Sequence, residues 1–150
     1  MKKFYLLIVI LIAIGAAIGV YYTVKNWNPN PLEPVVFQDF SREEVVKDVL
    51  SKISDISPVK ASLGGNWYVT RFWFIKESNK DVYVEYEDGH NLRQILLEAK
   101  KNGEMSYKVV GYFEPGETSW DLKEGEDKFF GSLLELYEYD SEIEAWVKQN

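Results

Sequence analysis

Cysteine is absent from the 150 residues, and histidine occurs once, as His90. The first absence excludes thiol nucleophiles, cysteine-based zinc sites, disulfides and lipid attachment to an N-terminal cysteine. A domain exported without disulfides must be held by its core alone. Asn-x-Ser/Thr acceptors are also missing, and together these gaps suit a prokaryotic envelope protein better than a small eukaryotic secreted one. No glycine-rich loop is arranged to cradle a phosphate, and Gly64-Gly65 reads as a hinge into a strand, so no cofactor is expected.

Negative charge is missing from the first 25 positions. Of the 17 lysines and arginines, Lys2, Lys3 and Lys25 fall there, which leaves 14 against all 24 acidic residues and gives residues 26–150 a net −10. A surface of that sign repels phosphate backbones and anionic headgroups, and no basic stripe interleaved with aromatics offsets it, so nucleic acid is excluded as a partner. Solubility accounts for the acidity more simply than an acidic docking surface does.

The same absence leaves Phe4 to Val24 as 21 consecutive uncharged residues between Lys3 and Lys25. A helix of that length spans about 31 Å, close to the roughly 30 Å hydrocarbon thickness of a bilayer. A cleaved signal has an apolar region of only about 7 to 15 residues. Cutting at the small pairs Gly15/Ala17 or Ala17/Gly19 would leave the apolar stub Val20 to Val24 at the new terminus. The expected element is therefore a retained signal anchor over residues 1–25. Phe4 opens the span, and Tyr21, Tyr22 and Val24 close it beside Lys25 as an aromatic and basic boundary. Lys2 and Lys3 place the N-terminus in the cytoplasm and the rest of the chain outside, with the lipid bilayer as the partner of residues 4–24.

Residues 26–34, Asn-Trp-Asn-Pro-Asn-Pro-Leu-Glu-Pro, form a proline-rich linker that extends to roughly 28 Å and lifts the C-terminal domain off the bilayer. Residues 35–150 are one domain's worth of chain without repeats. Within it, Ser41 and Glu44 form a capping box, Phe40 staples onto Val45, and Val45, Val46, Val49, Leu50 and Ile53 share one helical face that Pro58 terminates. Aromatic and β-branched runs then predict strands over Trp67–Lys76, Val82–Glu87, Asn91–Lys100 and Glu104–Phe113. Asp88-Gly89 and Asn102-Gly103 supply hairpin turns.

A two-residue turn at Asn102-Gly103 pairs Leu97 with Lys108, Ile95 with Val110 and Leu96 with Val109. The helix is then expected over Val82, Val84, Ile95, Leu97 and Val110, with the C-terminal segment, Tyr107, Val109 and Phe113 on the other face. Ser141 to Glu144 can cap a helix, but Leu136–Tyr139 and Ala145–Lys148 favour a terminal hairpin. The expected fold class is α+β: an N-terminal transmembrane helix, then one amphipathic helix packed on a curved antiparallel meander sheet of four to six strands. In architecture alone this resembles cystatin-like domains, which host many functions.

Chemistry has few places to reside. Glu85 and Glu87 share a strand face, and His90 follows in a turn, a set with the residue types that acid and base work on a glycan or peptide requires. In a chain this acidic, paired carboxylates are ordinarily solvated, and His90 with Ser78 or Ser106 lacks the glycine frame of a nucleophile elbow. Asp121, Glu124, Glu126 and Asp127 flank a glycine as hard-cation ligands do, without EF-hand spacing, so a polar turn is the simpler reading. Trp120, in the loop Pro115–Asp127, is the candidate exposed aromatic anchor for a sugar or a partner. The balance favours a non-enzymatic interaction or assembly module of the cell envelope that contacts another envelope protein. The alternatives are a small envelope hydrolase and a sugar- or calcium-binding module.

Overall fold

A computed structural model describes residues 40–149. The anchor residues Phe4, Tyr21, Tyr22 and Val24 and the proline-rich linker lie outside the described residues. Among the described residues no helix is long and apolar enough to cross a membrane.

Helix α1 spans Arg42–Ile56 and begins as its sequence dictates: the Ser41 hydroxyl accepts the Glu44 N–H at 3.2 Å, and the Glu44 carboxylate accepts the Ser41 N–H at 3.1 Å. These bonds satisfy two donors that the first turn otherwise leaves unpaired. Val45, Val46, Val49 and Ile53 are buried along one face, and Ser57, ahead of Pro58, closes the helix by donating its N–H to the Ile53 carbonyl at 2.9 Å.

Beyond the helix the chain forms seven strands: β1 Tyr68–Ile75, β2 Asp81–Glu87, β3 Leu92–Asn102, β4 Glu104–Pro115, β5 Trp120–Gly125, β6 Leu134–Asp140 and β7 Ala145–Lys148. They make one antiparallel sheet in the order β5-β4-β3-β2-β1-β6-β7. The expected count of four to six is thus one short. The additional strand is β5, whose Asp, Lys and Glu residues have low strand propensity and mark it as a polar loop in sequence. An edge strand tolerates that composition because one side of its ladder faces water, and every β5 residue after Trp120 is exposed.

The terminal hairpin forms as expected, but it does not cover a sheet face. β6 pairs with the free edge of β1 in the register Phe72 with Tyr137 and Ile75 with Leu134. A meander leaves its first strand with unpaired N–H and C=O groups, and β6 satisfies them.

One sheet face carries the main core, in which Phe72, Phe74, Val82, Val84, Tyr86, Ile95, Leu97, Ala99, Tyr112 and Tyr137 meet α1. Edge-to-face pairs tighten it: Trp67 with Tyr86 at 4.9 Å, Phe72 with Trp146 at 5.0 Å and Phe74 with Tyr137 at 5.2 Å between ring centroids. Such pairs contribute about 0.5–1.5 kcal/mol each beyond the burial of their area.

The β3–β4 register differs from the two-residue-turn expectation. Asn102 pairs with Glu104, Leu97 with Val109 and Leu96 with Gly111, with an irregularity between the last two pairs. Because side chains alternate faces, a one-residue slip near the turn moves Tyr107 and Val109 to the helix face and Val110 to the opposite one, and the bulge then returns Phe113 to the face opposite the helix. Phe113 lies opposite the helix, as expected.

Candidate functional site

The face opposite α1 holds a second, smaller core of Ile75, Tyr83, Leu96 and Phe113, with Trp73, Val110, Trp120 and Phe129 packed against it. Residues 126–133, between β5 and β6, cross this face. The crossing is fixed by Tyr83, whose hydroxyl donates to Asp127, and by the Lys76 N–H, which donates to the Leu133 carbonyl at 3.0 Å. Burial, and next the bond to Asp127, push the Tyr83 hydroxyl far above its ordinary range and hold it protonated. Phe129 turns inward, whereas Phe130 and Leu133 are 90% and 70% exposed.

Between this segment and β5 lies an open cleft of about 230 Å³. Phe113, Trp120 and Phe129 supply its aromatic wall, and Gln94, Ser119 and Asp127 supply its polar groups. Trp120 therefore sits at the cleft, as the first residue of β5 rather than in an irregular loop. Phe129 and Phe130 are cleft and surface residues that the sequence did not single out. The signal was available in Lys128-Phe-Phe-Gly-Ser-Leu-Leu134, an apolar run in a turn directly after an acidic stretch, where solubility alone does not call for aromatics.

The remaining candidates do not converge on this cleft. Glu85 is buried on the cleft face of β2 and saturated: it accepts from Trp73 Nε1 at 2.7 Å, from Arg71 Nη1 at 3.3 Å and from Gln94 Nε2 at 3.5 Å. Arg71 also donates through Nε to Glu138 at 2.7 Å, which links β2, β1 and β6. Such a network neutralises a buried carboxylate and holds strands in register.

Glu87, on the same face, is exposed, and His90 is exposed in the β2–β3 turn. The turn is organised by Asp88, whose carboxylate accepts the backbone N–H of Ser62 at 2.6 Å, of Asn91 at 2.7 Å and of His90 at 2.9 Å. Those bonds, that from Ser62 foremost, hold the Asp88 carboxyl well below the usual range.

Asp121, Glu124 and Glu126 are exposed along β5 and its exit. Asp121 takes Lys123 Nζ at 3.4 Å, and Asp127, which does line the cleft, takes the Tyr83 hydroxyl. Among the described residues no group of three or more histidine or acidic side chains converges in a way that could hold a metal ion.

No protein-family model matches the chain, and neither a curated protein nor a solved structure is found to be similar to it.

Proposed function

We propose that this protein is a single-pass, membrane-anchored, extracytoplasmic interaction or assembly module of the cell envelope, without enzymatic activity, and that its acidic domain binds another envelope protein through the cleft beside Trp120. The observation that carries this reading is the second sheet face, apolar across five strands yet covered by a single crossing segment, with a cleft left open between Trp120 and Phe129. Contact there removes apolar surface from water at roughly 25 cal/mol per Å², and aromatic side chains in a partly formed pocket are the usual energetic centre of such contacts. The apolar run over residues 4–24 keeps the domain among envelope proteins, which raises the effective concentration of any partner in the same membrane.

Chemical crosslinking of the full-length protein in its native membrane, followed by mass spectrometry, tests this. One reproducible neighbour is expected. Its yield should fall several-fold in Leu122→Glu, which puts charge on the cleft face at a residue already 43% exposed. A crosslinking pattern with no specific neighbour overturns the proposal.

A sugar-binding module is a second reading with one observation in its favour: a flat indole stands in the cleft beside Ser119, Gln94 and Asp127, the pairing of stacking surface and hydrogen-bonding groups that a pyranose requires. Calorimetry that records no heat with wall fragments, with or without calcium, removes this reading.

A further inference from the structure

The two ends of the sheet differ, and the difference bears on how the domain meets the membrane. Thirty-nine residues precede Phe40, including the uncharged run 4–24, and the chain enters the described domain at the end formed by the β1–β2 turn. There Arg42 Nη2 donates to the carbonyls of Ile75, Lys76 and Ser78 at 3.1, 2.9 and 3.2 Å. The Lys76–Leu133 hydrogen bond brings the 126–133 segment to this same end, with its exposed Phe130 and Leu133. The β3–β4 turn at Gly103 also lies here, since Asp81 pairs with Glu98 near the start of β2.

Charge separates the two ends as well. In the segments 76–80, 102–104 and 126–133, Lys76, Lys80 and Lys128 stand against Glu77, Glu104, Glu126 and Asp127. At the opposite end the connections 57–67, 88–91, 115–119 and 140–144 carry Asp88, Glu117, Asp140, Glu142 and Glu144 against Lys60 alone. Exposed apolar residues occur at that end too, in Leu63, Tyr68, Tyr139 and Ile143, but Ile143 stands between two glutamates. An anionic leaflet repels such a surface more strongly than it repels the end where the chain enters.

We propose that the entry end of the domain rests on the phospholipid surface, with Phe130 and Leu133 inserted at the headgroup level. The proposal builds on the reading of residues 4–24 as a retained anchor. Aromatic and aliphatic side chains at a turn, flanked by Lys76 and Lys128, gain apolar burial in the interface while the lysines stay with the phosphates. The proline-rich spacer then acts as a tether that limits the domain's distance from the bilayer, rather than as a post that holds it away.

Because the chain has no cysteine, Phe130→Cys, Leu133→Cys and Ile143→Cys each provide one attachment site for a nitroxide. All three positions are exposed, so the labels leave the core intact. The full-length protein is reconstituted in phosphatidylcholine vesicles containing phosphatidylglycerol, and collisions with oxygen and with a water-soluble nickel chelate are compared. The oxygen-to-nickel ratio should rise several-fold at 130 and 133 and stay at its aqueous value at 143. Equal aqueous values at all three, in protein that resists alkaline carbonate extraction, overturn the docking while leaving the anchor intact. A rise at 143 instead overturns the orientation. Extraction by carbonate removes the anchor, and the proposal with it.

Discussion

Arg42 shows how one side chain fixes several elements at once. Its guanidinium pairs with Glu135 of β6, lies 5.0 Å from the centroid of the Phe74 ring and donates to three carbonyls at the β1–β2 turn. Glu135 also accepts from Lys148 Nζ of β7 at 2.7 Å. The bond from Lys148, and next that from Arg42, lower the Glu135 carboxyl from 4.5 to about 2. A folded-state value below the unfolded one means that the stabilisation is complete above about pH 4.5 and disappears as the pH falls through about 2. Denaturant midpoints measured from pH 6 down to about 2 should therefore decline over that window. In Glu135→Gln this part of the decline should be absent, and an unchanged profile would show that Glu135 does not carry the linkage.

At the scale of elements, the least expected strand is β5, and a glycine decides where it ends. Gly125 pairs with Gly111 at φ +81°, and a Cβ there would run into the Val110 carbonyl. Gly125→Ala is therefore strained both in its backbone conformation and in space. A loss of about 1–3 kcal/mol is expected, concentrated in β5 and the crossing segment. Hydrogen exchange should quicken in β5 while β2 and β3 remain protected, and uniform loss of protection would mean that β5 is integral to the whole cooperative unit. The helix presents the opposite case: its start, its buried face and its end at Pro58 arise from local residues, because capping and 3.6-residue periodicity act within a few positions of the chain.

For the whole molecule, the governing contrast lies between an uncharged N-terminal run and a domain of net −10. The orientation with Lys2 and Lys3 inside predicts a mature protein that begins at Met1, survives alkaline carbonate extraction in the membrane fraction and exposes its C-terminal domain to protease only from outside. A mature terminus near Val20 would instead identify the run as a discarded signal. The two faces of the sheet divide the labour under this reading: α1 seals one, and the other offers its cleft to a partner.

The sequence alone determined the helix, the positions of four central strands, the terminal hairpin and the acidity of the domain. These rest on caps, period-2 and helical patterning, turn dipeptides and net charge, all of which are local or summed quantities. Only the tertiary structure decided that β6 completes the edge of β1, that a one-residue slip of the β3–β4 register reverses the faces of Val109 and Val110, and that charged β5 extends the sheet at its margin. It also decided that Glu85 is enclosed by Trp73, Arg71 and Gln94, and that Trp120 shares a cleft with Phe129 from a different part of the chain. The physical reason is common to all of these. Hydrogen bonding across strands and the closure of a pocket join residues distant in sequence, and no short-range pattern specifies which distant partner an unpaired edge or an exposed aromatic will meet.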